Sequence, residues 1–371
     1  MKSNHYQLVN TDELISPALI YYKDLIIMNI RKAIDIAGGA QRLWPHVKTH
    51  KSAEVTLLML SMGITRFKCA TIAEAEMLAD CQAPHIMLAY PLVGPNINRY
   101  LKLIARYPRS HFYAIGDDVD VLRNLSDSAI QMGIVIDTLL DINLGMNRTG
   151  ICTEEAEGMY QSCAALPGIS MCGLHCYDGN HNDRDLDTRC LRIEQALIKV
   201  RKLIQELKTK GYECSIQIMA GTPSFPCHAK YEDEFLSPGT CFIMDYGYMT
   251  NVPDLPFVPA AALFTRVISH PAKGLFTLDL GYKGIAADPI GIRGAIVNLE
   301  EAEPVLHSEE HWVWRMKDGL EHMVPSIGTS LYVLPTHICP TTALYPSVLV
   351  AEGHEIVDQW TVTARDRKLM I

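Results

Sequence analysis

The chain has 371 residues, 48% of them hydrophobic, and a formal net charge of −9. That length leaves room for two domains with cores of their own. Its basic residues are scattered and not gathered in a stripe, which argues against a nucleic-acid surface, and its apolar runs, such as 57–62, are too short to cross a bilayer. The first five residues carry no apolar signal core. The eleven cysteines stand singly in apolar segments, Cys69, Cys163 and Cys172 among them, with no CxxC pair. This pattern predicts reduced core thiols in a cytoplasmic protein.

Residues 1–17 read as an irregular segment able to pack on the C-terminal domain. Leu19–Tyr22 reads as a strand, followed by a helix over 24–37 that Gly38 and Gly39 stop. Leu43–Lys51 reads as a short strand entering a helix over 52–62. Strands near 66–70, 85–90, 111–115, 134–142, 170–177 and 215–220 then alternate with helices near 72–81, 96–106, 118–131, 153–166 and 186–209. The last helix keeps Leu186, Ile193, Leu197, Val200, Ile204 and Leu207 on one face. A segment near 240–246 completes the region. Alternation over close to eight βα units predicts an α/β TIM (β/α)8 barrel spanning 18–250. No GxGxxG or GxxxxGK[ST] follows a strand, which weighs against dinucleotide and P-loop readings. A linker with three prolines covers 251–259. Short β-prone segments follow, and 251–371 reads as a small all-β domain.

Chemistry gathers at strand ends, where a TIM barrel keeps its active site. On a strand, His46, Lys48 and His50 would share a face. Neighbouring cations and burial favour a neutral lysine amine, a nucleophile used in Schiff bases with pyridoxal phosphate (PLP). Arg148 sits in a glycine-bounded loop after a strand. His175 and Tyr177 share a strand face, with His181 in the next loop. Gly221-Thr222-Pro-Ser224 follows a strand with small residues and hydroxyls suited to a phosphate, and Ser237-Pro-Gly239-Thr240, placed just before the last barrel strand, offers a second arm. His337 and Cys339, at i and i+2 on an extended segment, would aim imidazole and thiolate at one divalent ion. Two protein ligands leave open positions, as a catalytic metal needs. The acidic turn Glu309-Glu310 would orient a water or the metal histidine, or simply face solvent.

Together these residues resemble fold-type III PLP enzymes, an alanine-racemase-like barrel with a β domain, and within them the D-threonine aldolase/D-serine dehydratase branch. Pro45-His-Val-Lys48-Thr-His-Lys51 and His337-Ile-Cys339-Pro-Thr carry the resemblance most specifically. Cys69-Ala-Thr71-Ile-Ala-Glu74, Gly221-Thr-Pro-Ser-Phe225-Pro and Ser237-Pro-Gly-Thr240 support it, and it covers nearly the whole chain. The resemblance implies that Lys48 carries PLP as a Schiff base and Arg148 contacts its ring hydroxyl. It implies that Tyr177 and His181 line the substrate side, that Gly221, Thr222, Gly239 and Thr240 hold the phosphate, and that His337 and Cys339 bind the metal. In that branch the pair reads His-x-Asp in aldolases and His-x-Cys in dehydratases. Cys339 thus points to a dehydratase, while Leu344-Tyr345 looks more like aldolases.

The expected activity is a PLP- and metal-dependent lyase on D-β-hydroxy amino acids, with zinc, manganese or magnesium as the ion. Retro-aldol cleavage to glycine and an aldehyde is the first reading, with His181 as base. The alternative is a D-serine or 3-hydroxyaspartate dehydratase giving a keto acid and ammonia, in which Lys48 takes the Cα proton. An amino-acid racemase or a non-catalytic PLP-binding protein are further alternatives. The resemblance also implies a homodimer acting on a small-molecule amino acid, with neither nucleic acid nor membrane as partner.

Overall fold

A computed structural model describes residues 4–371. The chain divides into two compact units, neither continuous in sequence. Of the described residues, one comprises 33–48, 53–239 and 364–371; the other comprises 4–32, 49–52 and 240–363. The division therefore does not fall at residues 18 and 250. The strand expected to open the barrel, β1 (Ala18–Tyr22), belongs to the second unit. Every residue from Leu19 to Tyr22 is buried, so its sequence shows no alternation that would tell a barrel strand from a sandwiched one. Helix α1 (Lys23–Ala37) follows it.

The first unit is built from α2 (Ala53–Ser61), β2 (Arg66–Cys69), α3 (Ile72–Asp80), β3 (His85–Leu88) and α4 (Pro95–Arg106). It continues through β4 (His111–Gly116), α5 (Val119–Gln131), β5 (Ile136–Asp141), α6 (Thr153–Ala164) and β6 (Ile169–Cys176). It ends with α7 (Leu186–Thr209), β7 (Ile216–Met219), α8 (Phe225–His228) and β8 (Phe235–Leu236). Strands β2 to β8 pair in sequence order and all in parallel. The eighth stave is short and irregular. Leu43 bridges Leu236 of β8, and His46 bridges Lys68 of β2, both in parallel. Residues 43–46 therefore stand between the first and last strands of the sheet and curl it into a barrel. The segment expected to finish the barrel near 240–246 forms no strand; Thr240–Phe242 is a 3-10 turn of the other unit.

Trp44 fills the barrel interior with Met87, Tyr113, Ile115, Leu139, Cys172 and Ile218. Its indole donates to the Phe67 carbonyl at 2.7 Å and meets Tyr113 and Phe235 edge-on. Trp44→Ala removes that packing and leaves a cavity, and is expected to cost about 3–5 kcal/mol in chemical denaturation.

Helix α7 covers the range its periodicity predicts, and the Asp185 side chain caps it. A disulfide joins Cys190 of α7 to Cys227 of α8, which corrects the expectation that all cysteines are reduced. The two positions lie on separate helices, and only the fold brings their Cα atoms to 5.3 Å. No helix among the described residues is long and apolar enough to cross a membrane.

The second unit adds α9 (Tyr246–Asn251), β9 (Ala261–Ser269), β10 (Leu275–Leu278), β11 (Gly294–Ile296), β12 (Ala302–His307) and β13 (Trp312–Met316). It closes with β14 (Ser330–Pro335), α10 (Ile338–Leu344), β15 (Ser347–Glu352) and β16 (Glu355–Thr361). Its sheet runs β12-β13-β10-β9-β1-β15-β16, with β14 also pairing β9 and β11 pairing β14. Strand β1 lies antiparallel to β9 and parallel to β15. The N-terminal segment packs on this unit: Tyr6 donates to Pro259 O at 2.8 Å, and Arg266 donates to the carbonyls of Thr11 and Leu14.

Candidate active site

Lys48 does not lie on a strand. Val47–Thr49 forms a 3-10 turn, so the alternating-face argument for His46, Lys48 and His50 fails. Each histidine instead accepts a backbone hydrogen bond two residues ahead. His46 Nδ1 takes the Lys48 N–H at 3.2 Å, and His50 Nδ1 takes the Ser52 N–H at 3.1 Å. The first of these bonds shapes the turn that presents Lys48. Burial, with Lys51 beside it, pushes His50 down to about 3, so it stays neutral.

The Tyr177 ring is the hub of the barrel mouth. Arg148, Lys68 and Lys48 lie over it at 5.0, 5.4 and 5.9 Å from the centroid. Arg148, Asp141, His175 and Tyr177 line one shared cavity. Two glycines let the ring sit there: a Cβ on Gly221 would lie 2.9 Å from it, and one on Gly179 would overlap its hydroxyl end.

Behind Tyr177 a buried network fixes the loops. Ser224 Oγ donates to Asp178 Oδ1 at 2.6 Å and accepts the Gly221 N–H at 2.9 Å. His228 bridges Asp178 Oδ2 at 2.9 Å and Glu234 Oε2 at 2.7 Å. The Gly221 amide is thus held by Ser224, which departs from the expectation that it faces a phosphate. Thr222 Oγ1 accepts the Gly239 N–H at 3.3 Å, joining the two arms of the expected cradle. Ser237–Gly239 follows β8, the last strand, where the sequence suggested a place before it. Thr240 belongs to the other unit.

His181 is buried, and its Nδ1 lies 3.9 Å from Asp178 Oδ2 with no hydrogen-bond partner among the described residues. That orphaned nitrogen is a group a bound molecule would satisfy. Burial works to raise the Asp178 carboxyl; His181, His228 and Ser224 outweigh it and hold the carboxyl well below its usual range. Burial likewise lowers His228, but Asp178 and Glu234 lift it to about 9. The stabilisation from charged His228 is full below its ordinary value of 6.5 and is lost as pH rises through about 9. The difference in unfolding free energy between the wild type and His228→Gln should shrink by on the order of 3 kcal/mol from pH 6 to 9.5. Lys68, lowered by burial, works in the opposite sense over that window in both proteins.

Sequence reasoning missed Lys68, Asp141, Asp178 and His228. Lys68 was detectable as a lysine between Phe67 and Cys69 in a buried strand; the others acquire meaning only through long-range contacts.

In the second unit, His337 stands in extended conformation at the start of α10, and Cys339 lies in its first turn. The two side chains therefore do not sit on an extended segment, yet they are close enough for each to shift the other's proton affinity. Burial works to raise the Cys339 thiol; His337 and Thr49 beside it bring it below its ordinary value. Burial works to lower His337, and Cys339 and Asp288 lift it to about 9. Asp288 Oδ2 meets His337 Nδ1 at 2.5 Å. Glu309 and Glu310 pair with Lys283 instead, so the acidic turn is a surface feature. Asp245, buried and pushed up to about 6 by that burial, accepts the Ile338 N–H and anchors the helix.

Among the described residues no three histidine, cysteine or acidic side chains form a metal cluster. The pair His337–Cys339 nonetheless has the chemistry of a two-ligand site for a borderline or soft divalent ion. The barrel mouth fits PLP: its cations suit an anionic ring and phosphate, and the Tyr177 ring seated over Gly179 and Gly221 offers a flat face.

The alanine racemase N-terminal domain family matches residues 23–247, and a putative serine dehydratase domain matches 260–351. A D-threonine aldolase from Arthrobacter sp. is 28% identical over 335 residues, 87% of this chain and 85% of the relative. A D-threo-3-hydroxyaspartate dehydratase from Delftia sp. (strain HT23) is 22% identical over 371 residues, 94% of this chain and 97% of the relative. The crystal structure of D-threonine aldolase from Filomicrobium marinum matches with a TM-score of 0.88 at 27% identity, covering 95% of this chain and 96% of that one. The chain belongs to the alanine racemase N-terminal domain family, within the fold-type III PLP enzymes of the D-threonine aldolase branch.

Proposed function

We propose that the chain is a PLP- and divalent-metal-dependent lyase that cleaves D-β-hydroxy amino acids to glycine and an aldehyde. The observation that carries this reading is the grouping of Lys48 and Arg148 over Tyr177, with the unpartnered His181 nitrogen in the same unit. Bound PLP supplies an electron sink for the bond broken at Cα, and the metal supplies acidity to a hydroxyl group. Lys48 would anchor the cofactor. Arg148 would hold its ring oxygen. Thr222 and Gly239 would hold the phosphate, with Gly221 as the residue that leaves space for Tyr177. His181 takes the proton of the substrate β-hydroxyl, and Asp178 orients it. His337 and Cys339 hold the metal, with Asp288 fixing the imidazole. The D preference and a homodimeric assembly are expectations from the family.

The second reading, dehydration to a keto acid and ammonia, is favoured by Cys339, whose thiol lies below its ordinary value and suits zinc better than manganese or magnesium. There Lys48 would take the Cα proton. Incubating the holoenzyme with D-threonine and D-serine separates the two. Glycine with acetaldehyde supports the aldolase, and keto acid with ammonia supports the dehydratase. If neither forms and only D/L interconversion or inert PLP binding is seen, the lyase reading is wrong.

A further inference from the structure

Lys68 is a fully buried lysine, 2% exposed, that the mechanism above does not use. It rises from β2 and reaches His175 on β6, so its side chain crosses the barrel interior. Its amine lies 3.5 Å from His175 Nε2, its one hydrogen-bond partner among the described residues. His175 Nδ1 lies 2.7 Å from Asp141 Oδ1. That bond places the imidazole proton on Nδ1 and turns the Nε2 lone pair toward Lys68. Asp141 itself is buried at the end of β5, and the three groups form one line from carboxylate to amine.

A buried amine without a carboxylate against it costs several kcal/mol, so methionine or leucine would pack there more stably. Such a cost in a cationic cavity points to function. His46 bridges Lys68 on one flank, and the neutral Met87 pairs with it on the other. Lys48, Arg148, Asp141 and Asp178 supply the charge around it, and Tyr177 and His175 cover it. Burial, then Lys48 and Arg148, bring its amine down to about 7, against the pull of the two carboxylates.

We propose that Lys68 is a positioning residue of the cofactor pocket: carried on the His175–Asp141 pair, it is the third cation around Tyr177, and gain or loss of its proton sets how tightly the pocket holds an anionic cofactor. Lys48 and Arg148 already have roles there; Lys68 adds the adjustable charge. The inference rests on the PLP reading of the barrel mouth. It involves no covalent step: a proton moves between solvent and the Lys68 amine.

The test uses pyridoxine 5′-phosphate, which carries the phosphate and ring oxygen of PLP but has no aldehyde to react with Lys48. Its affinity for the full-length apoprotein is measured by calorimetry at pH 6.0 and pH 8.5. Lys68→Met should bind about tenfold more weakly than the wild type at pH 6.0 and within about twofold of it at pH 8.5. Lys68→Arg should bind tightly at both. In the wild type, lysine-selective NMR should show the Lys68 amine titrating near neutrality, with its midpoint rising when pyridoxine 5′-phosphate is added, as linkage requires. This measurement decides the matter even if neither variant folds. Equal weakening of Lys68→Met at both pH values, or a midpoint unmoved by ligand, overturns the proposal and leaves Lys68 a packing residue. If the wild type fails to bind pyridoxine 5′-phosphate at either pH, the PLP reading itself falls, and the inference with it.

Discussion

Lys48→Ala should abolish the visible absorption band of the PLP-loaded protein and lower turnover by at least about 10²–10⁴-fold, the range for losing a group that transfers protons. Two separate losses combine here. The covalent anchor goes, and so does an amine able to exchange protons at Cα. The fold should survive, because Lys48 is only half-buried and its place in the turn is held through its backbone N–H, which His46 accepts. Circular dichroism and thermal unfolding should therefore stay close to wild type while the absorption band disappears. A variant that keeps the band would place the cofactor on another amine, Lys51 three residues on or Lys68, which lies over the same Tyr177 ring.

Metal removal should have the second large effect. A chelator should abolish lyase activity while leaving the PLP band intact, because His337 and Cys339 belong to a different unit from Lys48. Cys339→Ala should behave like the chelated wild type, at about 10²-fold or more in turnover. Cys339→Asp should regain part of it with manganese or magnesium, which prefer oxygen ligands. The thiol must lose its proton to bind a metal, so zinc affinity should fall as pH falls. Full activity on β-hydroxy substrates after exhaustive chelation, confirmed by elemental analysis, would sink the metal reading.

Much of the barrel was legible because βα alternation is written in local periodicity. Helix α7 matches its predicted range, and the strands from β2 to β7 fall within a few residues of theirs. Strand β1 was misplaced because the choice of partner sheet depends on β9 and β15, more than 200 residues away, and on nothing local. The turn at 47–49 and helix α10 were read as extended because His, Lys and Thr carry no strong local preference, and tertiary contacts decided the backbone. Lys48 and Arg148 stand together over Tyr177, and His337 stands beside Cys339, as residue type and family resemblance led one to expect without the backbone being right. Lys68, Asp141 and His228 were not, because their roles rest on contacts across the barrel or between loops. The Cys190–Cys227 bond escaped for the same reason: its partners are 37 residues apart and only the fold pairs them.

Borohydride reduction of the PLP-loaded wild type, followed by peptide mapping, tests the central claim most directly. One phosphopyridoxyl-lysine is expected, at Lys48, with a stoichiometry of about one per chain. Label at Lys51 or Lys68, or no stable label from a protein that absorbs in the visible, would contradict it.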